Sequence, residues 1–329
     1  MYDRKNNFIS KYLIPILYSY KINIHNIDIV HCPGEIVPPY FWFINATKII
    51  TFGGDEIISS EINFSLKKEL LVPIHLFSLF LIKILKNKIS KFIVVSNMMK
   101  KNISKGYNIN INKISVIKHG VNTSKFRELA QNEIQKTLSK LNINTPYILH
   151  VSSYRKIKNI PRIIKAFSNV IKDKKYENLT LVIAGKKSYQ YKKIKKLVLK
   201  LGIEKRIRFL GSINKELPAL YAGAEVLCQP SFRETFGFPI LESLACGTPV
   251  ITSKKVGVLE NVKGLEAQIQ VDPNNEKEIE ESIKTIVLNK ELKKKLRKAG
   301  FNLVKKYSWN NCAKEHIKVY KQAIIENIK

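Results

Sequence analysis

Carboxylates are scarce in this chain. Its 329 residues carry 26 Asp and Glu against 57 Lys and Arg, a formal net charge of +31. Aspartate stands at only five places, 3, 28, 55, 173 and 272, and no two of them form an Asp-x-Asp pair that would seat a divalent cation. Cysteine is as thin. Cys32, Cys228, Cys246 and Cys312 stand far apart, without the paired spacing of a zinc site or a disulfide framework, and read as reduced thiols of a cytosolic protein. Long apolar runs are missing too. The longest, "LLVPIHLFSLFLIKIL" at 70–85, is broken by Pro73, His75 and Lys83, and a bilayer span needs about 20 apolar residues. It reads as a buried or interfacial helix. No basic, apolar and small-residue succession of a secretory leader opens the chain, no repeat of solenoid period runs through it, and no heptads are sustained.

What is present is a length beyond one hydrophobic core and a hydrophobic fraction of 45%, which together predict two folded domains. The positive surplus by itself points to nucleic acid, an anionic membrane surface or phosphorylated substrates. Lysine is abundant everywhere alongside Ile and Asn, so solvated lysine faces are the plainer reading. Aromatic residues are not interleaved with the lysine runs as base-stacking platforms would be, which speaks against nucleic acid.

From Tyr147 onward, β-rich apolar runs alternate with helix-period segments: "YILHVSS", "IPRIIKAFSNVI", "LTLVIAG", "YKKIKKLVLKLG", "RIRFLGS", "LPALYAGA", "EVLCQPS", "FPILESLACG", "TPVITS". That alternation predicts a parallel sheet covered on both faces, a doubly wound α/β domain. After "VDP" at 271–273 two more helical segments are expected, the second behind Trp309. The first 125 residues carry a weaker version of the pattern in "IDIVHCPG", "ATKIITFGG", "KFIVVSN" and "KISVIKHG". The expected division is 1–125 for a first α/β domain, 126–306 for a second, and 307–329 for a helix packing back toward the first.

Ligands of open parallel sheets lie beyond the carboxyl ends of the strands. Three such ends carry small residues beside cations: "YILHVSS", closing on Ser153, runs into Tyr154, Arg155, Lys156 and Lys158, "LTLVIAG" ends on Gly185 before Lys186 and Lys187, and "EVLCQP" leads into "SFRETFGFPILESLACG". For Lys156, Lys186 and Lys187 the reading as ordinary surface lysines stands equally. Pro239 suits the first helical position, and the loop at 231–238 delivers backbone N–H groups at a helix N-terminus, a ready anion site to which Gly237 lets the main chain come close. Glu242 either favours the helix dipole or accepts from both hydroxyls of a ribose. Glu234 suits the hydroxyls of a sugar. Phosphate flanked by two polyols is a nucleotide sugar.

"PSFRETFGFPILESLACGTPVITS" at 230–253 resembles the signature of retaining GT-B glycosyltransferases of family 4, the glycosyltransferase group 1 set, in which two glutamates enclose seven residues. "VSSYRKIKNIPRIIKAF", "LVIAGK", "IRFLGSINKELPALYAGAEVL", "VDPNN" and "YSWNNCAKEHIKVY" follow in the family's order, so the likeness covers roughly 90–322. The resemblance implies a fold of two Rossmann-like domains facing a cleft and transfer of a hexose from a nucleoside-diphosphate sugar to an acceptor hydroxyl with retention, without a metal or any cofactor beyond that co-substrate. Glu242 would hold the ribose, Glu234 the donor sugar, the N–H groups around Phe236 and Gly237 sugar and phosphate, and Lys158 the diphosphate; the segment at 209–211 would lie near the base. Glu234 and Lys158 are the catalytic candidates; Ser153, Arg155, Gly185, Phe236, Gly237 and Glu242 complete the donor site. Cell-surface glycan or lipid-linked acceptors, and a cytoplasmic or inner-membrane-face location with peripheral membrane contact, are also implied, and nucleic acid is not.

Three departures stand against the family pattern. The family's arginine five residues before the lysine is Ser153 here, with Arg155 nearby. Family members open on a strand and a Gly-rich loop, whereas the first glycine is Gly34, which implies a shortened first domain; and the family's threonine-hydrophobic-histidine reads Thr51, Phe52, Gly53. His25, His31, His119 and His150 are expected to be structural or surface residues. A catalytically impaired chain that binds nucleotide sugar or assists a partner enzyme is therefore the alternative.

Overall fold

The computed structural model describes residues 27–34, 37–53, 71–254, 256–260 and 267–328. His25 and the opening of the first domain lie outside them. The chain divides into two compact units, Met1–Lys118 with Asn311–Lys329, and His119–Asn310.

In the first unit β1 (Ile29–Cys32), β2 (Thr47–Phe52), β3 (Lys91–Val94) and β4 (Ile114–Val116) pair in parallel in that order. The runs expected to be strands are strands, and the two central ones are apolar and buried on both faces: Ile49, Ile50, Phe52, Phe92 and Val94 are fully buried. Helix α1 (Leu71–Leu85) forms within the 70–85 stretch; it buries Ser78, Leu79 and Ile82 and exposes Phe77, Phe80 and Ile84. Among the described residues no helix is long and apolar enough to cross a membrane. Helix α2 (Asn97–Tyr107) starts on Ser96, whose hydroxyl accepts from Met99 N at 3.3 Å, a side-chain cap worth about 1 kcal/mol.

The second unit opens with α3 (Gln131–Lys140) and then winds a six-stranded parallel sheet from β5 (Tyr147–Val151), α4 (Ile160–Val170), β6 (Thr180–Ala184), α5 (Tyr191–Leu201), β7 (Ile207–Gly211), α6 (Leu217–Ala222), β8 (Val226–Gln229), α7 (Phe238–Ala245), β9 (Val250–Ser253) and β10 (Gln268–Val271). Helices α8 (Glu276–Leu288) and α9 (Lys290–Val304) close it, and α10 (Trp309–Ile328) contributes its residues from Asn311 on to the first unit. There Cys312, Val319 and Ala323 share one core with Ile49, Ile93 and Ile117.

The strand order is β10-β9-β8-β5-β6-β7. Chain direction across the sheet reverses between β5 and β8, which is the doubly wound arrangement and puts a crevice at their carboxyl ends. Helix α4 shows why the layers hold. Ile160, Ile163, Ile164, Phe167 and Val170 recur at helical spacing, all fully buried, and each such side chain contributes about 1.5–3 kcal/mol on burial.

Two sequence expectations need correction. The first segment after "VDP" is two helices, because the Asn289 side chain accepts from Leu292 N at 2.8 Å and so caps α9 one residue after α8 stops. Strand β10 was not expected: "QIQV" is too short, and its Gln268 too buried, for a polar alternation to announce it.

Candidate active site

The crevice between the ends of β5 and β8 is framed by the segments the sequence singled out. Beneath it, His150 on β5 is fully buried, its Nδ1 2.8 Å from the Cys228 carbonyl on β8 and its Nε2 2.7 Å from Ser152 Oγ. A carbonyl only accepts, so Nδ1 carries the proton. Burial, with the Lys158 charge nearby, lowers the imidazole to about 4, and a neutral ring fastens the two strands where they diverge. Gly185 after β6 has φ +148, and a Cβ there would sit 1.8 Å from the Ser152 carbonyl oxygen. Only glycine lets these two loops meet.

Beyond Ser153 and Arg155, both half-buried, the chain makes a short turn through Lys156, Ile157 and Lys158 and enters the left-handed region at Asn159, φ 59. The Asn159 carboxamide donates to the Pro230 carbonyl at 3.0 Å and the Pro273 carbonyl at 2.7 Å. Phe232 N donates to the Ile157 carbonyl at 2.9 Å. The turn after β5 is thus stitched to the loop after β8, and Lys158 Nζ reaches Glu234 Oε2 at 2.5 Å, each side chain 12% exposed.

The 231–238 loop is held from its other side. Ser253 Oγ donates to the Ser231 carbonyl at 2.6 Å, Gly257 N to that of Glu234 at 3.0 Å and Val258 N to that of Phe236 at 2.8 Å. Gly237, φ 107, is the N-cap of α7, and Phe238 opens the helix, so Pro239 is its second residue rather than its first. The N–H groups ahead of the first intrahelical bond have no partner within the helix, and there Ile240 N already reaches the Gly237 carbonyl at 3.1 Å. Phe236 is buried beside His119, Phe238 and Tyr307, with ring centroids 5.1–6.1 Å away. His119 also stacks on Phe238 at 5.3 Å.

Glu242 lies one turn into α7, half-buried, and its Oε2 accepts from Tyr221 Oη on α6 at 2.9 Å. Burial raises its carboxyl; the Tyr221 bond and the Lys125 ammonium pull it back. Lys156, Lys186 and Lys187 are exposed, and Lys187 sits over the Tyr191 ring at 4.8 Å. In the first unit, His31 at the end of β1 bonds Thr51 Oγ1 and Tyr320 Oη, both at 2.7 Å, while Gly53 follows β2. Burial and the neighbouring His316 lower His31 to about 4.

This unit gathers a cation touching a carboxylate, a helix N-terminus and a second carboxylate near one topological switch point, and the model of one family, glycosyl transferases group 1, matches residues 131–303. The chain belongs to that family. Among curated relatives it is 30% identical over 237 residues to an uncharacterized glycosyltransferase, MJ1607, of Methanocaldococcus jannaschii, covering 70% of this chain and 60% of the relative. It is 31% identical over 176 residues to O-antigen chain mannosyltransferase B of Escherichia coli, covering 53% and 45%. The chain therefore spans about half the length of these relatives. In fold it matches Anabaena Alr3699/HepE, solved in complex with UDP and glucose, at a TM-score of 0.77 and 16% identity over 96% of this chain and 83% of that one. The architecture is GT-B.

Two residues that anchor the candidate site escaped the sequence reading. Tyr221 lay hidden in a helix-period segment, 21 residues from the carboxylate it bonds. Asn159 drew no notice beside Lys158, although an Asn ahead of Ile-Pro is a fair signal for a left-handed turn before a helix.

Proposed function

We propose that the chain moves a hexose from a nucleoside-diphosphate sugar to an acceptor hydroxyl with retention and without a metal, in the synthesis of a cell-surface glycan or glycolipid. The observation carrying this reading is the Lys158–Glu234 contact at the switch point, 2.5 Å long and largely withdrawn from water. A pair so placed presents a cation to a diphosphate and a carboxylate to sugar hydroxyls at once. The N–H groups of Phe236 and Gly237 face the same guest, and Glu242, steadied on one oxygen by Tyr221, offers the other to the ribose. Ser153, Arg155 and Gly185 complete the donor side, and the first unit takes the acceptor.

In the transfer, the bond between the anomeric carbon and the diphosphate oxygen breaks and the electron pair leaves with the nucleoside diphosphate. The acceptor oxygen bonds to that carbon and its proton departs. The chain's largest task is to stabilise charge growing on the diphosphate, where a preorganised cation and N–H dipoles act most strongly. The reading without a metal rests on the missing Asp-x-Asp pair.

Calorimetric titration with UDP, GDP and ADP, then with their sugar conjugates, tests the proposal. Micromolar binding corresponds to about 8 kcal/mol. No binding of any of the three overturns it. Binding without turnover favours instead a chain that has kept the donor site and lost catalysis, a reading supported by Gly53 in place of a histidine.

A further inference from the structure

The positive charge is not spread evenly over the second unit. Residues 147–211, which make β5, β6 and β7 with α4 and α5, hold 18 Lys and Arg against 3 Asp and Glu, whereas 217–304, the other half of the sheet and its helices, hold 12 against 11. A bias that scatters lysine through a sequence does not sort carboxylates by side of a sheet. The sorting is spatial, because β5-β6-β7 form one lateral half of the sheet with β7 at its edge.

Helix α5 is the centre of the basic half. Its buried stripe is Ile194 and Val198; Lys192, Lys193, Lys195, Lys196 and Lys200 are all exposed, with Leu199 among them 59% exposed. Lys186 and Lys187 precede it, and exposed Lys205 and Arg208 follow. Among the described residues none of these nine cations has a carboxylate within ion-pair distance. On α8 and α9, by contrast, five cations are paired: Lys277 and Lys284 with Glu280 and Glu281, Lys293 with Glu225, Lys294 with Glu291 and Arg297 with Glu128.

We propose that this face of α5 docks on the surface of an anionic lipid bilayer. Clusters of four to eight lysines on one helix face suit anionic headgroups. Two features favour a bilayer over nucleic acid. Every cation on the helix is lysine, a mobile point charge, whereas base and phosphate readers favour the forked guanidinium of arginine. On the helix itself the exposed apolar side chain is an aliphatic one, Leu199, which enters a headgroup layer but stacks on no base; the ring of Tyr191 is turned edge-on into Tyr154 and Phe209, and exposed Tyr189, ahead of the helix, is tied through its hydroxyl to Lys156 N at 3.3 Å. The proposal is independent of the transfer reading. A chain that binds UDP and ignores bilayers overturns only this one, and the converse result overturns only that one.

The test is co-sedimentation of the full chain with vesicles of phosphatidylglycerol and phosphatidylcholine, against phosphatidylcholine alone, at about 0.1 M salt. Binding is expected to the first and not the second, weakening as salt rises. Replacing Lys192, Lys195, Lys196 and Lys200 by Gln is expected to weaken binding at least tenfold while UDP affinity stays put. Replacing Lys290, Lys294, Lys295 and Lys298 on α9 by Gln removes the same charge and is expected to change it less than twofold. Equal losses in the two variants mean that net charge alone acts, and overturn the proposal. So does tighter binding of a DNA duplex through the same four lysines. In the unaltered chain, amide exchange over 191–201 must slow on vesicles; unchanged exchange there overturns the proposal whatever the variants do.

Discussion

Two carboxylates eight residues apart meet opposite partners, and that difference sets what each can do. Glu234 is paired with Lys158. At a separation of about 4 Å and an effective dielectric of about 20, a lysine and one phosphate charge attract by about 4 kcal/mol, of which a charged hydrogen bond retains about 1.5–3 kcal/mol after desolvation. Lys158→Ala is therefore expected to lower sugar transfer from roughly tenfold to 150-fold, and turnover within twofold of the parent would remove Lys158 from the diphosphate. Glu242 has a neutral hydroxyl as its partner, so burial wins and its carboxyl lies above the ordinary 4.5. The native form then holds that proton more tightly than the unfolded chain does. This group's share of stability grows as pH falls through its raised value and is lost as pH climbs back. Nucleotide affinity runs the other way, since only the ionised form accepts from both ribose hydroxyls. Affinity is expected to decline on acidification through a window beginning above 4.5. Tyr221→Phe deletes an interaction that holds the carboxyl down, and the decline should move to higher pH. Lys125 and Cys246, which also face Glu242, remain in place. A titration series with an unmoved acid limb would contradict the role given to Tyr221.

Between elements, the contacts that matter most are those no local pattern announces. The strands other than β10 were legible as short apolar runs, most plainly where they are buried on both faces, as at Ile49, Ile50, Phe92 and Val94, and the start of α7 was legible from Gly237 and Pro239. The stitching was not. Asn159 joins three carboxyl ends of the sheet through bonds to residues 71 and 114 positions away, and no periodicity encodes a partner at that distance. The break between α8 and α9 rests on a single side chain, Asn289, within one uninterrupted helical pattern. The consequence of the stitching is measurable. Asn159→Gly keeps the left-handed backbone and strips one buried and one partly buried carbonyl of their donor, a loss of roughly 1–3 kcal/mol; Asn159→Ala adds about 1–2 kcal/mol of backbone strain at φ 59. Urea midpoints should fall in the order Asn, Gly, Ala at constant slope. Donor KM should rise in both variants, because the turn carrying Lys158 loses its anchor. Equal midpoints for Gly and Ala would mean that residue 159 does not hold its left-handed conformation in solution.

Across the whole molecule, each unit has a core of its own. Ile49, Ile93 and Ile117 pack with Cys312, Val319 and Ala323 in one, and Ile148, Ile163, Phe167, Ile183, Val226 and Ile283 in the other. The second core includes residues of β5 and β8, the two strands whose ends frame the donor crevice, and none of the proposed donor contacts lies in the first unit. A nucleotide that binds there lowers the free energy of the folded second unit alone. At a free UDP concentration of about 100 times its Kd the stabilisation is about 2.7 kcal/mol, which for a unit of this size raises its melting temperature by roughly 5–10 °C. Scanning calorimetry should then resolve a step that climbs with UDP and a step that stays. The climbing step should be insensitive to substitutions at His31 or Thr51 in the first unit and should stop climbing when Lys158 is replaced. A UDP-dependent shift that survives loss of Lys158 and Glu242 together would place the nucleotide somewhere other than the switch point between β5 and β8.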